Sequence, residues 1–102
     1  MKYSLIESNG VVNVQLSGEL TVSDEDDFRG LTSEAMALNA QKYSIDVTKL
    51  DFLDSAGLGL MLVFKEFCEE SGKSVTMKVA GSAVRDVLDI SEFQNLIPYE
   101  DA

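Results

Sequence analysis

The sequence predicts an α/β domain whose mixed β-sheet opens with an antiparallel hairpin and continues through β-α-β crossovers, with the helices packed on the sheet. Two observations carry this prediction. An Asn-Gly pair joins two strand-like segments near the start, and strand-like and helix-like periods alternate after it. The chain has 102 residues, of which 45% are hydrophobic and 25% are charged. This size and composition fit a single domain over 1–102 with one hydrophobic core.

The opening hairpin is predicted from residues 3–17. Residues 3–7 have a strand-like composition, and the Asn9-Gly10 pair after them suits the two positive-φ positions of a type I′ turn. Val12, Val14 and Leu16 then alternate with polar residues. One face of the second strand is therefore expected to be buried.

A first helix is predicted to begin at Ser23, which we interpret as its N-cap. The acidic residues that follow suit the positive end of the helix dipole. The apolar residues of this segment advance by three and four positions and predict one buried stripe, made of Phe28, Leu31, Ala35 and Leu38.

The second half of the chain repeats the alternation of strand and helix. The first predicted element is a strand around Ile45 and Val47, whose apolar packing continues through Leu50, Phe52 and Leu53. A helix from about Ala56 to Ser71 follows and is ended by Gly72. The remaining predicted elements are a strand at Val75, Met77 and Val79, a helix capped by Ser82, and an edge strand within residues 96–99.

The helix after residue 55 carries more leucines than one buried face requires. On a helical wheel, one broad face holds the predicted core residues Leu60, Val63, Phe64, Phe67 and Cys68. Leu58 and Leu62 fall on the opposite side with Lys65 and are expected to stand largely in water. Two interpretations stay open: ordinary exposed leucines, which a loop can cover, or a ridge that a partner protein buries.

The segment Asp54-Ser55-Ala56-Gly57-Leu58-Gly59 places a hydroxyl group on a glycine-rich corner directly before this helix. Amides in the first turn of a helix lack intrahelical acceptors and carry the positive end of the dipole, so a phosphoryl group on Ser55 would meet donors there. Ser55 also suits a helix cap, and the two roles are compatible.

Composition argues against several other functions. With no histidine the chain lacks the usual general base, and it shows neither a Ser-x-x-Lys signature nor a Gly-x-Ser-x-Gly elbow, so no enzyme activity is expected. A formal net charge of -10 disfavours nucleic acid and anionic membranes as partners. The chain shows no signal-like start or membrane-length apolar run, and its lone cysteine, Cys68, fits a reducing compartment, so a cytoplasmic location is expected.

The chain resembles the STAS domain family, specifically its stand-alone anti-sigma factor antagonists. The resemblance covers nearly the whole chain and is carried by Asp54-Ser55-Ala56-Gly57-Leu58, which matches the family pattern Asp-Ser-(Ser/Ala)-Gly-Leu, and more weakly by Gly18-Glu19-Leu20. The resemblance implies the STAS fold and a phosphoacceptor serine at Ser55. It also implies partner switching in bacterial transcription regulation and signal transduction. In that scheme the unphosphorylated protein binds a serine kinase of the histidine-kinase-like ATPase type, often itself the anti-sigma factor, and displaces its target.

In such a pathway phosphorylation abolishes binding and a PP2C-like phosphatase reverses it. ATP and magnesium belong to the kinase, so the chain itself is expected to need no cofactor or metal and to be a monomer when alone. The residues expected to contact the partner are Thr21, Ser23, Asp54, Ala56, Gly57, Leu58, Leu62 and Lys65.

One position departs from the family pattern. Thr21 stands where members often carry Asp after the Glu-Leu pair, and neither Asp24 nor Asp26 has the matching spacing. The alternative function is a structural STAS subunit of a transporter or sensor complex without phosphorylation control. The sequence names neither the kinase and phosphatase nor the upstream signal or the regulated output.

Overall fold

The described residues form one five-stranded mixed sheet, in which the strands lie side by side in the order in which they follow along the chain. The computed structural model describes residues 1–81 and 83–101, and Asp101 by its backbone alone. The strands are β1 (Lys2–Ser8), β2 (Val11–Leu20), β3 (Lys42–Leu53), β4 (Ser74–Val79) and β5 (Tyr99–Asp101), and the helices are α1 (Glu25–Ala37), α2 (Ser55–Glu70) and α3 (Ala83–Ile90). Only the β1–β2 pair is antiparallel among these strands. The predicted fold class is confirmed.

The predicted hairpin is present with its predicted turn. Asn9 and Gly10 have φ angles of 54° and 79°, the positive values that a type I′ turn needs at both central positions. Ser8 pairs with Val11 across the turn. Val12, Val14 and Leu16 are each at most 1% exposed, so the period-2 pattern identified the buried face.

The three helices pack on one face of the sheet, and the other face is polar. Buried residues from all three helices belong to one cluster with the inward side chains of β2, β3 and β4. On the outer face, Lys42 pairs with Glu100, and Lys78 donates to Asn13 Oδ1 at 3.4 Å. The sheet therefore has one covered and one open face.

An aromatic cluster joins α1, β3 and α2 at the centre of the core. Tyr43 and Phe28 each meet Phe64 edge-on, with ring centroids 5.8 Å and 6.3 Å apart. The Tyr43 hydroxyl donates to the Ala35 carbonyl at 2.7 Å and accepts from the Ala40 amide at 3.2 Å. A buried hydroxyl group is thus fully satisfied, and it fixes α1 against β3.

The start of α1 differs from the prediction. Ser23 is not its N-cap, because Val22–Asp24 form a 3-10 turn and the helix begins at Glu25. Phe28, Leu31 and Ala35 are buried as predicted, but Leu38 follows the end of the helix and is 40% exposed.

Other predicted elements are present with shifted bounds. β3 runs to Leu53, and Phe52 is 50% exposed instead of packed, since it faces away from the buried Leu53 next to it. Gly72, at φ 73°, follows the C-cap residue Ser71 of α2. The last strand lies at Tyr99–Asp101, beyond most of the predicted segment. The predicted cap Ser82 lies outside the described residues.

Cys68 lies on the buried face of α2 with no exposed surface, as predicted. Burial raises the pKa of its thiol to about 12. The thiol is therefore protonated at neutral pH and is a packing group in the folded chain.

Candidate functional site

The candidate site is a corner formed where two neighbouring parallel strands end. Leu20 closes β2, Leu53 closes β3, and the two residues pair in register. Each strand is followed by a short connection into a helix, so the segments 21–24 and 54–57 lie side by side at the carboxyl edge of the sheet. We call this region the Ser55 corner.

Gly18 turns β2 towards this corner. Its φ angle is 82°, and the register with β3 shifts between Gly18 and Glu19. Glycine is favoured at a β-bulge position with this φ angle, because the backbone conformation is strained for a residue that carries a Cβ atom. The Gly18-Glu19-Leu20 stretch thus contributes to the corner through its backbone.

Asp54 organises the corner. Its Oδ1 accepts a hydrogen bond from the Gly57 amide at 2.8 Å, which makes Asp54 the N-cap of α2. Its Oδ2 accepts from the Val22 amide at 3.4 Å, and its own amide donates to the Leu20 carbonyl at 3.3 Å. One side chain therefore caps the helix and links the two segments of the corner.

Ser55 is the first residue of α2, and its side chain is exposed. The capping role considered for Ser55 is wrong, because the neighbouring Asp54 carboxylate occupies that position. Ser55 and Ala56 are the first two residues of α2, so their amides have no intrahelical acceptor. The Ser55 hydroxyl therefore stands in solvent beside the positive end of the helix, where the cap does not depend on it.

Gly57 brings α2 unusually close to β2. A Cβ atom on Gly57 would lie 2.6 Å from the Leu20 carbonyl oxygen and 3.1 Å from Leu20 Cγ. The first distance is shorter than real contacts allow, so only glycine fits without a backbone shift. Gly59, two residues on, has nothing within 4 Å of such an atom.

Thr21 and Asp24 form a second cap beside the first. The Thr21 amide donates to Asp24 Oδ2 at 2.9 Å, and the Thr21 hydroxyl accepts from the Ser23 amide at 3.4 Å. The N-terminal ammonium of Met1 also contacts Asp24 Oδ1 at 3.0 Å. The Thr21 amide, then this ammonium group, hold the pKa of the Asp24 carboxyl below its usual value.

A carboxylate therefore does lie next to Thr21, although the sequence spacing argued against it. The 3-10 turn folds Asp24 back over Thr21, a contact that no linear spacing shows. Asp24 is only 9% exposed, so it works as a structural cap and offers little surface to a partner. Thr21 is half-buried and Ser23 is exposed, and both lie in the corner.

The prediction that Leu58 and Leu62 stand largely in water is wrong. Leu58 and Leu62 are half-buried and pack against the core, and Lys65 pairs with Glu69 at 3.2 Å. The fully buried line of α2 is Gly57, Met61, Phe64 and Cys68. Val63 and Phe67, which the wheel assigned to the core, are each 47% exposed. The wheel erred because apolar residues cover both flanks of α2 as well as its buried line.

Two exposed apolar residues near Ser55 were missed. Val22 is 66% exposed, in the segment tied to Asp54, and Phe52 is 50% exposed, three residues before Ser55. For Phe52 the alternation of strand residues gave no clear signal, because Leu53 next to it and Leu50 two residues before it are both buried and the register with β2 shifts between Leu50 and Phe52. For Val22 the signal was an isolated apolar residue between Thr21 and Ser23. Val22 adds exposed apolar surface to the corner, and Phe52 adds it near the end of β3, just before the corner in the sequence.

No group of three or more Cys, Asp or Glu side chains within residues 1–81 and 83–101 is arranged to hold a metal ion. Over the same residues, no helix combines the length and apolar character that a membrane span requires.

Comparisons with known proteins agree on the fold. The family described as "Mlab, STAS domain" matches residues 5–98. A "STAS-domain containing protein" of Pseudomonas aeruginosa is 26% identical over 85 residues, which span 83% of each chain.

Solved structures superpose over almost the whole chain. An anti-sigma factor antagonist from Mycobacterium paratuberculosis gives a TM-score of 0.84 at 19% identity, covering 96% of this chain and 83% of its own. The anti-sigma factor antagonist SpoIIAA gives 0.73 in its unphosphorylated form and 0.72 in its phosphorylated form. Each is 23% identical and covers 99% of this chain, and the match spans 89% and 91% of the respective SpoIIAA chains.

Proposed function

Because this chain belongs to the STAS domain family, we propose that it is an anti-sigma factor antagonist controlled by phosphorylation of Ser55. In the proposed cycle the unmodified chain binds a serine kinase that also acts as the anti-sigma factor and so releases the kinase's target. Phosphorylation of Ser55 breaks that complex, and a PP2C-like phosphatase restores the binding form. The chain itself acts as a binding protein in the cytoplasm and leaves ATP and magnesium to the kinase.

The observation that supports the proposal most strongly is that Asp54, and not Ser55, caps α2. Asp54 supplies the helix cap and the tie to Val22, while the exposed Ser55 hydroxyl has no part in that cap. A group added to Ser55 therefore leaves the cap in place. Phosphorylation adds about -1.5 to -2 charges beside the Asp54 carboxylate, which alters the surface more than the fold.

The solved relatives support this separation of surface and fold. SpoIIAA has been solved unphosphorylated and phosphorylated, and the two forms superpose on this chain almost equally well, at TM-scores of 0.73 and 0.72. SpoIIAA therefore has the same overall fold in both forms. The proposed switch requires that property, since this chain must be recognised by a phosphatase after it leaves the kinase.

The proposed docking surface is centred on Ser55 and includes Val22 and Phe52. Burial of apolar surface is the dominant favourable contribution to most protein–protein association, so a partner that covers these side chains gains binding free energy. A phosphate placed among them would carry strongly bound water into that contact. The half-buried Leu58 borders this surface, while Leu62 and Lys65 lie further along α2.

The first test is phosphorylation of the purified chain by candidate kinases with MgATP, followed by mass spectrometry. We expect one phosphate, on Ser55, and none in Ser55→Ala, while the control Ser33→Ala, at an exposed serine of α1, is modified as fully as the wild type. The affinity of each form for the kinase is then measured. Phosphate elsewhere, or equal affinity of the modified and unmodified forms, would contradict the proposal.

The second test separates docking from phosphorylation. We expect Phe52→Ser to weaken kinase binding at least tenfold with little loss of stability, because half of this side chain is already in water. The matched control is Ile90→Ser, an 84% exposed residue at the end of α3. If a partner still binds this corner but Ser55 is never modified, the alternative of a structural STAS subunit replaces the switch.

A further inference from the structure

A second apolar surface lies away from Ser55, in the groove between α1 and α2. The groove has a volume of about 670 Å³. Its apolar lining comes from both helices: Phe28 and Met36 on α1, and Leu60, Val63 and Phe67 on α2. We call it the α1–α2 groove. The proposed switch at Ser55 does not account for it.

The groove has an apolar floor and an open top. Phe28 is 2% exposed and forms the floor, while Val63 and Phe67 are each 47% exposed along one wall. The nearby Thr32 hydroxyl already donates to the Phe28 carbonyl at 2.9 Å, so it offers no free donor to a ligand. Leu60, Val63 and Phe67 are spaced by three and four residues and form one continuous stripe. An extended apolar stripe of this kind fits the side of another helix.

The unpaired charges on α2 beside the groove are acidic, although neither belongs to the lining itself. Glu66 and Glu70 follow Val63 by three and seven residues and so share its side of α2, and neither forms an ion pair with another described residue. Arg29, the basic residue of the lining, is paired with Glu25 at 2.7 Å. Unpaired negative charge therefore lies beside the apolar stripe.

From this combination we infer that the α1–α2 groove binds an amphipathic helix of a partner protein, with apolar residues on one face and Lys or Arg along its margin. Charge complementarity identifies the occupant: basic residues pair with Glu66 and Glu70 as the apolar face fills the groove. A second copy of this chain is disfavoured, since two molecules of net charge -10 repel each other. This surface is additional to the Ser55 corner and does not depend on phosphorylation.

The test uses three fluorescent 18-residue peptides and the full chain at 150 mM salt. The first is an amphipathic helix built from Leu and Lys, the second has the same composition in scrambled order, and the third replaces Lys by Glu. We expect the first to bind at micromolar concentration and the others at least tenfold more weakly. Amide chemical shifts should change along residues 60–67 of α2. Equal binding of the scrambled peptide would overturn the inference, because net charge alone would then suffice.

Variants locate the bound peptide. Val63→Ser combined with Phe67→Ser should weaken binding of the Leu-Lys peptide at least tenfold, and the control Ile90→Ser should stay within twofold of the wild type. Peptide-induced shifts confined to residues 52–57, or self-association that the double variant abolishes, would overturn the proposal. Shift mapping on the wild-type chain decides the question if the double variant does not fold.

Discussion

The Ser55 corner and the α1–α2 groove are built in opposite ways. In the corner, Gly57 leaves no room for even one more carbon atom, and Asp54 bonds to both adjoining segments. In the groove, Val63 and Phe67 stand half in water. The comparison shows that one helix can hold a tightly packed backbone at its start and an uncovered apolar wall further along.

This contrast has a functional meaning. A tightly bonded corner can accept a charged group on its surface without rearrangement, because the bonds that hold it do not involve the modified hydroxyl group. An open apolar wall gains free energy only when something covers it. Substitutions of Gly57 and Asp54, which hold the corner together, should therefore lower stability, whereas substitutions in the wall of the groove should lower binding.

Within the Ser55 corner, the largest effect on stability is expected for Gly57→Ala. Its new Cβ would lie 2.6 Å from the Leu20 carbonyl, so α2 must move away from β2. We expect the free energy of unfolding to fall by about 2–3 kcal/mol, measured by urea denaturation. Gly59→Ala is the control, because open space surrounds it, and should gain up to about 1 kcal/mol from helix propensity. Equal results for the two glycines would refute the close packing of the corner.

The next largest effect is expected for Asp54→Ala. This substitution removes the cap of Gly57 and the bond to Val22 together, and should lower the free energy of unfolding by about 1–2 kcal/mol. Asp51→Ala, at an exposed position of β3, should change stability by less than about 0.5 kcal/mol. Thermal unfolding followed by circular dichroism compares them. If Asp54→Ala left the stability unchanged, Asp54 would not be the effective cap and Ser55 would take that role.

A smaller effect, dependent on pH, is expected for Asp24. Its pKa is lower in the folded chain than unfolded, so its contribution is fully present above the unfolded pKa and is lost as pH falls through the folded pKa. Asp24→Asn should therefore reduce stability at pH 7 by about 1 kcal/mol. The difference from the wild type should shrink below about pH 4. A difference that stays constant down to pH 2 would show that the charge is irrelevant.

The smallest effect on stability is expected in the groove. Phe67→Ala should cost less than about 1 kcal/mol, because roughly half of the side chain gains nothing from folding. Phe64→Ala, three residues earlier and fully buried, should cost several times more in the same denaturation experiment. Comparable losses would show that Phe67 belongs to the core and that the groove is closed in solution.

The sequence predicted local structure better than it predicted which surfaces are free. The hairpin, its turn and the buried faces of the strands follow from periods and turn chemistry that act over a few residues. The predictions for Leu58, Leu62, Val63 and Phe67 failed because exposure depends on which neighbour covers each flank of α2. A wheel contains the residue types but not the positions of the elements that pack on either side of the helix.

The contacts within the Ser55 corner could also not be predicted from the sequence alone. The motif at residues 54–58 located the site, yet the capping role of Asp54 and the return of Asp24 to Thr21 depend on two loops meeting in space. Gly57 was recognised only as part of a pattern, and its physical reason is the Leu20 carbonyl of another strand. The role of Ser55 as phosphoacceptor stays a prediction.

The buried thiol of Cys68 is an internal probe of how often the core opens. With its pKa at about 12 and its side chain inaccessible, this group reacts with a thiol reagent only during moments when the core opens. The rate of labelling thus counts openings of α2 from the sheet. A phosphate on Ser55 that alters only the surface would leave that rate unchanged, while a helix filling the groove would slow it.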